Sequence, residues 1–147
     1  MTEIDFYILS ADSGQARLEF VSRLAEKIYL ARHQLLIATE SEQHSQQLSD
    51  LLWQSRPESF LAHDIDQQEA QAEAPVLVCH SEPPRFCHDV LINTSGKLLE
   101  DHFSRFHRLV EVVVQMPPVL KQTRAAYQFY KARGYPIRSH DLRNQRR

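Results

Sequence analysis

The stretch "IDFYILSADSGQARLEFVSRLAEKIYLARH" (residues 4–33) decides the fold class. It opens with an apolar run, "IDFYIL" (4–9), that reads as a buried strand. "SADSG" (10–14) is a turn of small polar residues. Beyond it, Leu18, Val21, Leu24, Ala25, Ile28 and Ala31 recur at helical spacing, with charges on the other side. "QLLIATE" (34–40) then returns to strand character. A strand, a turn, a long amphipathic helix and a second strand make one βαβ unit, and such units build parallel sheets.

The alternation continues along the chain. "SEQHSQQLSDLLW" (41–53) reads as a helix with Ser41 as its N-cap. "PVLVCH" (75–80), "DVLINTS" (89–95) and "RLVEVVVQ" (108–115) read as strands, and "LLEDHFSRFH" (98–107) as a short helix. "PPVLKQTRAAYQFYKARG" (117–134) opens with prolines and closes on Gly134, the start and stop signals of a helix. "YPIRSHDL" (135–142) is a candidate last strand, and the acidic "DIDQQEAQAEA" (64–74) a loop. The expectation is a single domain over 1–147 with a frayed tail at 143–147. Its architecture is a three-layer α/β/α fold around a mainly parallel sheet.

Composition narrows the function. Three glycines in 147 residues leave neither G-x-G-x-x-G nor G-x-x-x-x-G-K-[ST], so the chain lacks a nucleotide-binding loop. No cofactor is expected. "CHSEPPRFCH" (79–88) holds zinc-type ligands, but neighbours in an extended segment point to opposite faces, so Cys79 reads as core and no metal is expected. The His and carboxylate pairs in "HDID" (63–66) and "CHD" (87–89) stand beside no nucleophile or metal motif, and no catalytic residue is assigned. "MTEIDFYILS" carries acids where a signal peptide would carry cations. No apolar run approaches the ~18 residues of a membrane span, and a cytoplasmic setting is expected.

The formal net charge of −2 hides a segregation. Residues 101–147 hold three acids and ten Lys or Arg, against sixteen and seven in residues 1–100. Such an excess attracts an anionic partner, unless the two ends meet in space and cancel. Within it, "RAAYQFYKARGY" (124–135) places three cations and four rings in twelve residues. At about 100° per residue, Val119, Thr123, Ala126 and Tyr130, flanked by Phe129, form the core arc. Leu120, Arg124, Tyr127, Gln128 and Lys131 form the adjoining arc. Tyr127 stands there between Arg124 and Lys131, one helical turn to either side. A phenol ring between two cations suits an apolar group bearing a negative charge. That could be a stacked nucleotide or a peptide ending in an aromatic residue and its carboxylate.

Several stretches together resemble the chi subunits of bacterial DNA polymerase III. They are "FYIL", "LLIATESEQHSQQLSDLLWQSRPESFLAH" (35–63), "DVLINTS" and "RAAYQFYKARGY", with Trp53, Pro57 and "ESF" (58–60) at the family's spacing. The resemblance runs essentially end to end. It implies a Rossmann-like fold without a nucleotide site and a non-catalytic accessory role in the clamp-loader complex. It also implies two protein partners, the psi subunit and the acidic C-terminal tail of single-stranded DNA-binding protein, through which the chain meets DNA indirectly. The implied tail site is Arg124 and Tyr127, with Trp53 and Phe60 on a facing segment. The family often has Lys where this chain has Gln128, and Lys131 is positioned to compensate. Val114 and the segment from Tyr135 are further candidates for the pocket wall. The alternative is direct binding of single-stranded nucleic acid by the basic C-terminal part.

Overall fold

Strands interspersed with helices run along the chain, seven strands and three α-helices among the described residues. In this computed structural model, which describes residues 1–55, 63–65, 76–80 and 88–144, the strands are β1 (Glu3–Ile8), β2 (Leu35–Ala38), β3 (His63–Ile65), β4 (Val76–Cys79), β5 (Val90–Asn93), β6 (Arg108–Val113) and β7 (Ile137–Asp141). The helices are α1 (Gly14–Leu30), α2 (Glu42–Ser55) and α3 (Pro117–Ala132). The strands form one sheet in the order β3-β4-β2-β5-β6-β1-β7, and every neighbouring pair is parallel. The fold is Rossmann-like α/β, as the resemblance implies, and its parallel sheet is the one that the succession of strands and helices predicts.

Period-two alternation divides the core into two layers. On one face, Ile4, Phe6, Leu36, Leu77, Leu91 and Leu109 pack under Ala126 and Tyr130 of α3. On the other, Leu35, Ile37, Val78, Ile92 and Val110 pack under Leu18, Val21 and Ala25 of α1 and Leu48 and Leu52 of α2. Among the described α-helices, α3 is the one on its face, above the half of the sheet that holds β6 and β1.

Local chemistry sets the helix ends. Ser13 caps α1, its side chain accepting from the Ala16 amide at 3.1 Å, and Ser41 accepts from the His44 amide at the start of α2. Pro117 and Pro118 open α3, where a missing amide proton costs nothing. Gly134, at φ +79, reverses the chain after α3. Its amide donates to the Lys131 carbonyl and that of Tyr135 to the Tyr130 carbonyl, a Schellman-type stop. The reversal turns Tyr135 inward against Phe103, at 5.1 Å between ring centroids.

Two predicted elements differ. The segment 98–107 is not a full helix. It contains one 3-10 turn, Phe103–Arg105, because Phe103 and Phe106 both enter the core and the chain is extended by Phe106. His63–Ile65 pairs with Val76–Val78 as an edge strand, where the polar sequence reads as loop. Cys79 is buried in the core beneath α3, as expected of it, and Cys87 lies outside the described residues. Among the described residues, no helix is long and apolar enough to cross a membrane.

Candidate functional site

Register builds the floor of a groove beside α3. Parallel pairing sets Phe6 beside Glu111 and Ser139, and Ile8 beside Val113 and Asp141, so these residues share the α3 face. Phe6, Ile8 and Val113, with Leu120 from the helix, give a groove of about 420 Å³ its apolar surface. Thr123, Gln115 and Ser139 add hydroxyl and amide groups, and Arg124 and Arg143 add guanidinium groups.

The helix presents its two arcs as its periodicity predicts. Ala126 and Tyr130 are fully buried, with Val119 and Phe129 packed beside them. Tyr127 on the next arc is 36% exposed. Its ring lies 5.8 Å from that of Phe6, and the Lys131 Nζ stands 5.8 Å from its centroid. Arg124, Tyr127 and Gln128 all line the groove. Lys131 does not line it, but flanks the Tyr127 ring that does.

Beneath α3 lies a buried acid. The Tyr130 hydroxyl donates to Glu111 Oε2 at 3.0 Å, and the Asn93 side-chain amide donates to the same oxygen at 3.2 Å. Burial pushes the Glu111 carboxyl up to about 7, against the opposing pull of these two hydrogen bonds and of the Arg17 charge. Glu111 therefore anchors α3 to β6 without taking a cation from the groove.

The remaining predicted residues fall elsewhere. Trp53 belongs to α2, a helix whose Leu48 and Leu52 pack on the sheet face opposite α3. Phe60 lies outside the described residues. Val114 is fully buried and does not line the groove; Val113, one residue earlier on the α3 face, does. Tyr135 packs into the core against Phe103. Sequence reasoning missed Phe6, Ile8, Ser139 and Arg143. Alternation along β1 would have placed Phe6 and Ile8 on one face, but not the neighbour strand that makes them a floor.

A family model described as "DNA polymerase III chi subunit, HolC" matches residues 1–138. The chain belongs to the DNA polymerase III chi subunit family. A chi subunit from Pseudomonas aeruginosa is 34% identical over 97% of this chain and 98% of its own length. Those of Escherichia coli K12 and Haemophilus influenzae are 25% and 23% identical, each over 93% of this chain and 96% and 95% of their own lengths. A crystal structure of T4 UvsW shares the fold, with a TM-score of 0.68 at 10% identity; the match covers 97% of this chain and 42% of that one. Membership in the chi family makes this chain an accessory subunit of the replication machinery.

Proposed function

We propose that this chi-family chain is a non-catalytic adaptor that links the clamp loader to coated single-stranded DNA. One surface holds the psi subunit. The groove beside α3 takes the acidic C-terminal tail of single-stranded DNA-binding protein. The observation that carries this reading is an apolar floor bordered by a guanidinium, Arg124, that makes no ion pair among the described residues. An aromatic residue at the end of a peptide matches both parts at once. Burying its ring contributes about 1.5–3 kcal/mol. Arg124 takes the terminal carboxylate through parallel charge-assisted hydrogen bonds. Tyr127 and Lys131 border the tail's acidic residues, whose field speeds encounter more than it holds the complex.

Titration with a labelled acidic peptide ending in Pro-Phe tests the reading. Arg124→Ala should weaken binding by about 1.5–3 kcal/mol. Amidating the peptide should weaken wild type but add little to Arg124→Ala, because both changes remove one pair. Psi should bind Tyr127→Ala as it binds wild type, since it occupies another surface. Should short oligonucleotides bind better than the peptide, with a steep salt slope, the groove is a nucleic-acid track and the peptide reading fails.

A further inference from the structure

We propose that Arg143 is the second anion-recognising residue of the groove, and that Asp141 occupies it until a side-chain carboxylate of an acidic peptide takes its place. The proposal rests on the peptide-binding reading above and deepens it. It assigns the terminal carboxylate to Arg124 and an internal aspartate to Arg143.

Strand register brings Asp141 to the groove. Asp141 pairs with Ile8, a residue of the groove floor, so the end of β7 lies on the α3 face. The chain is held there because the Leu142 amide donates to the Ile8 carbonyl at 2.8 Å. Arg143 then folds back on Asp141. Its Nε donates to Oδ1 at 2.9 Å, its Nη2 to Oδ2 at 2.7 Å, and its amide to Oδ1 at 3.1 Å. This is the fork-to-fork geometry with which arginine takes any carboxylate. It leaves the guanidinium lining the groove from the β7 side, while Arg124 lines it from the helix.

Both partners are solvent-accessible, with side-chain exposures of 52% and 44%, so the pair is easily exchanged. The guanidinium beside it holds the Asp141 carboxyl at about 2, so the pair stays ionised near neutral pH and exchange needs no proton. A ligand carboxylate arriving on Arg143 replaces one fork with another and frees Asp141 to water. Asp141 therefore lowers affinity for every anion while leaving the site ready for one that the floor also holds. The chemistry selected is an apolar terminal residue with a carboxylate on the chain before it.

Two variants and two peptides test this by titration. Arg143→Ala should weaken the acidic peptide about fivefold. It should leave unchanged the affinity for a peptide whose aspartates are replaced by asparagine. Asp141→Asn keeps an oxygen for the Arg143 amide and removes the competing charge, so it should tighten the acidic peptide about threefold. In the Arg143→Ala background, Asp141→Asn should change nothing. Equal tightening in both backgrounds would mean that Asp141 acts only through its field, and would overturn the proposal. So would an Arg143→Ala effect of the same size on both peptides. Loss of binding in Arg124→Ala with no effect of either new variant sinks this proposal and spares the peptide reading. Absence of peptide binding by wild type sinks both.

Discussion

Two buried carboxylates on adjacent strands are treated in opposite ways, and the difference explains where this molecule keeps free positive charge. Asp5 on β1 faces the α1 side. Its carboxylate takes Arg108, Arg138 Nε at 3.1 Å and His140 at 3.1 Å, while Glu3 takes a second nitrogen of each arginine at 3.0 Å. Burial pushes the Asp5 carboxyl up, but the hydrogen bonds from Arg108 and His140 and the field of the two guanidiniums outweigh it and hold the group below its usual range. Glu111 on β6 faces α3. Neutral donors, a phenol and an amide, satisfy it there, and it remains protonated up to near neutrality. One face neutralises its acid with cations and the other with a proton. Of the cations of the C-terminal third, Arg108 and Arg138 are thus absorbed on the α1 face, while Arg124 is left available beside the groove.

The contrast between the two acids rests first on the pH dependence of Glu111. Its folded value, about 7, lies above its ordinary 4.5. Its contribution to stability is therefore full below pH 4.5 and is lost as pH rises through 7, a change of about 3 kcal/mol. Glu111→Gln keeps an oxygen for Tyr130 and Asn93 and removes the titration. Urea denaturation at pH 5 and pH 8 should show a fall in wild type that the variant lacks. Parallel pH profiles would mean that Glu111 is ionised in the folded state and that the contrast with Asp5 is false.

Asp5 should behave with the reverse sign and a smaller magnitude. Its folded value is depressed, so its stabilisation is present above the ordinary carboxylate range and is lost as pH falls through the folded value. Asp5→Asn should cost about 2 kcal/mol at pH 7, less than a fully buried pair, because Arg108 and Arg138 reach water. The gap from wild type should close in acid. A gap that widened in acid would show that packing, not charge, is what Asp5 supplies.

What the sequence made legible follows the same division. Periodicity located β1, α1, β2 and both arcs of α3, because each depends on residues within a few turns of one another. It did not reveal that Arg108 and Arg138 are absorbed, because their partner Asp5 stands 103 and 133 residues away. The charge excess of residues 101–147 therefore looked like one property, although the sheet divides it between two faces. Val114 was placed at the pocket wall through family resemblance; it follows the last residue of β6 and is fully buried, while Val113 lines the groove. Trp53 was placed with Arg124 through family resemblance alone, and the layer to which α2 belongs can be read only from the folded sheet. Arg143 was hidden in a basic tail, and its contact with Asp141 needs the β7 register to gain meaning.

Arg138 separates contact from field. If charge alone drew an acidic partner, every arginine near this sheet edge would matter in proportion to its distance. Arg138 lies on β7 one residue before Ser139, which lines the groove, but its side chain is on the opposite face and committed to Asp5 and Glu3. Arg138→Ala should therefore change peptide affinity by no more than about twofold, the residue of a screened field across a Debye length. Arg124→Ala should lose most of the binding under the same conditions. Because Arg138→Ala also disturbs the Asp5 cluster, its melting temperature must be measured alongside, and titrations run well below it. A loss equal to that of Arg124→Ala in folded protein would mean that the two faces act as one positive field. A near-silent Arg138 beside a critical Arg124 would mean that the partner reads one cation at contact distance, which the sheet makes possible by absorbing the other.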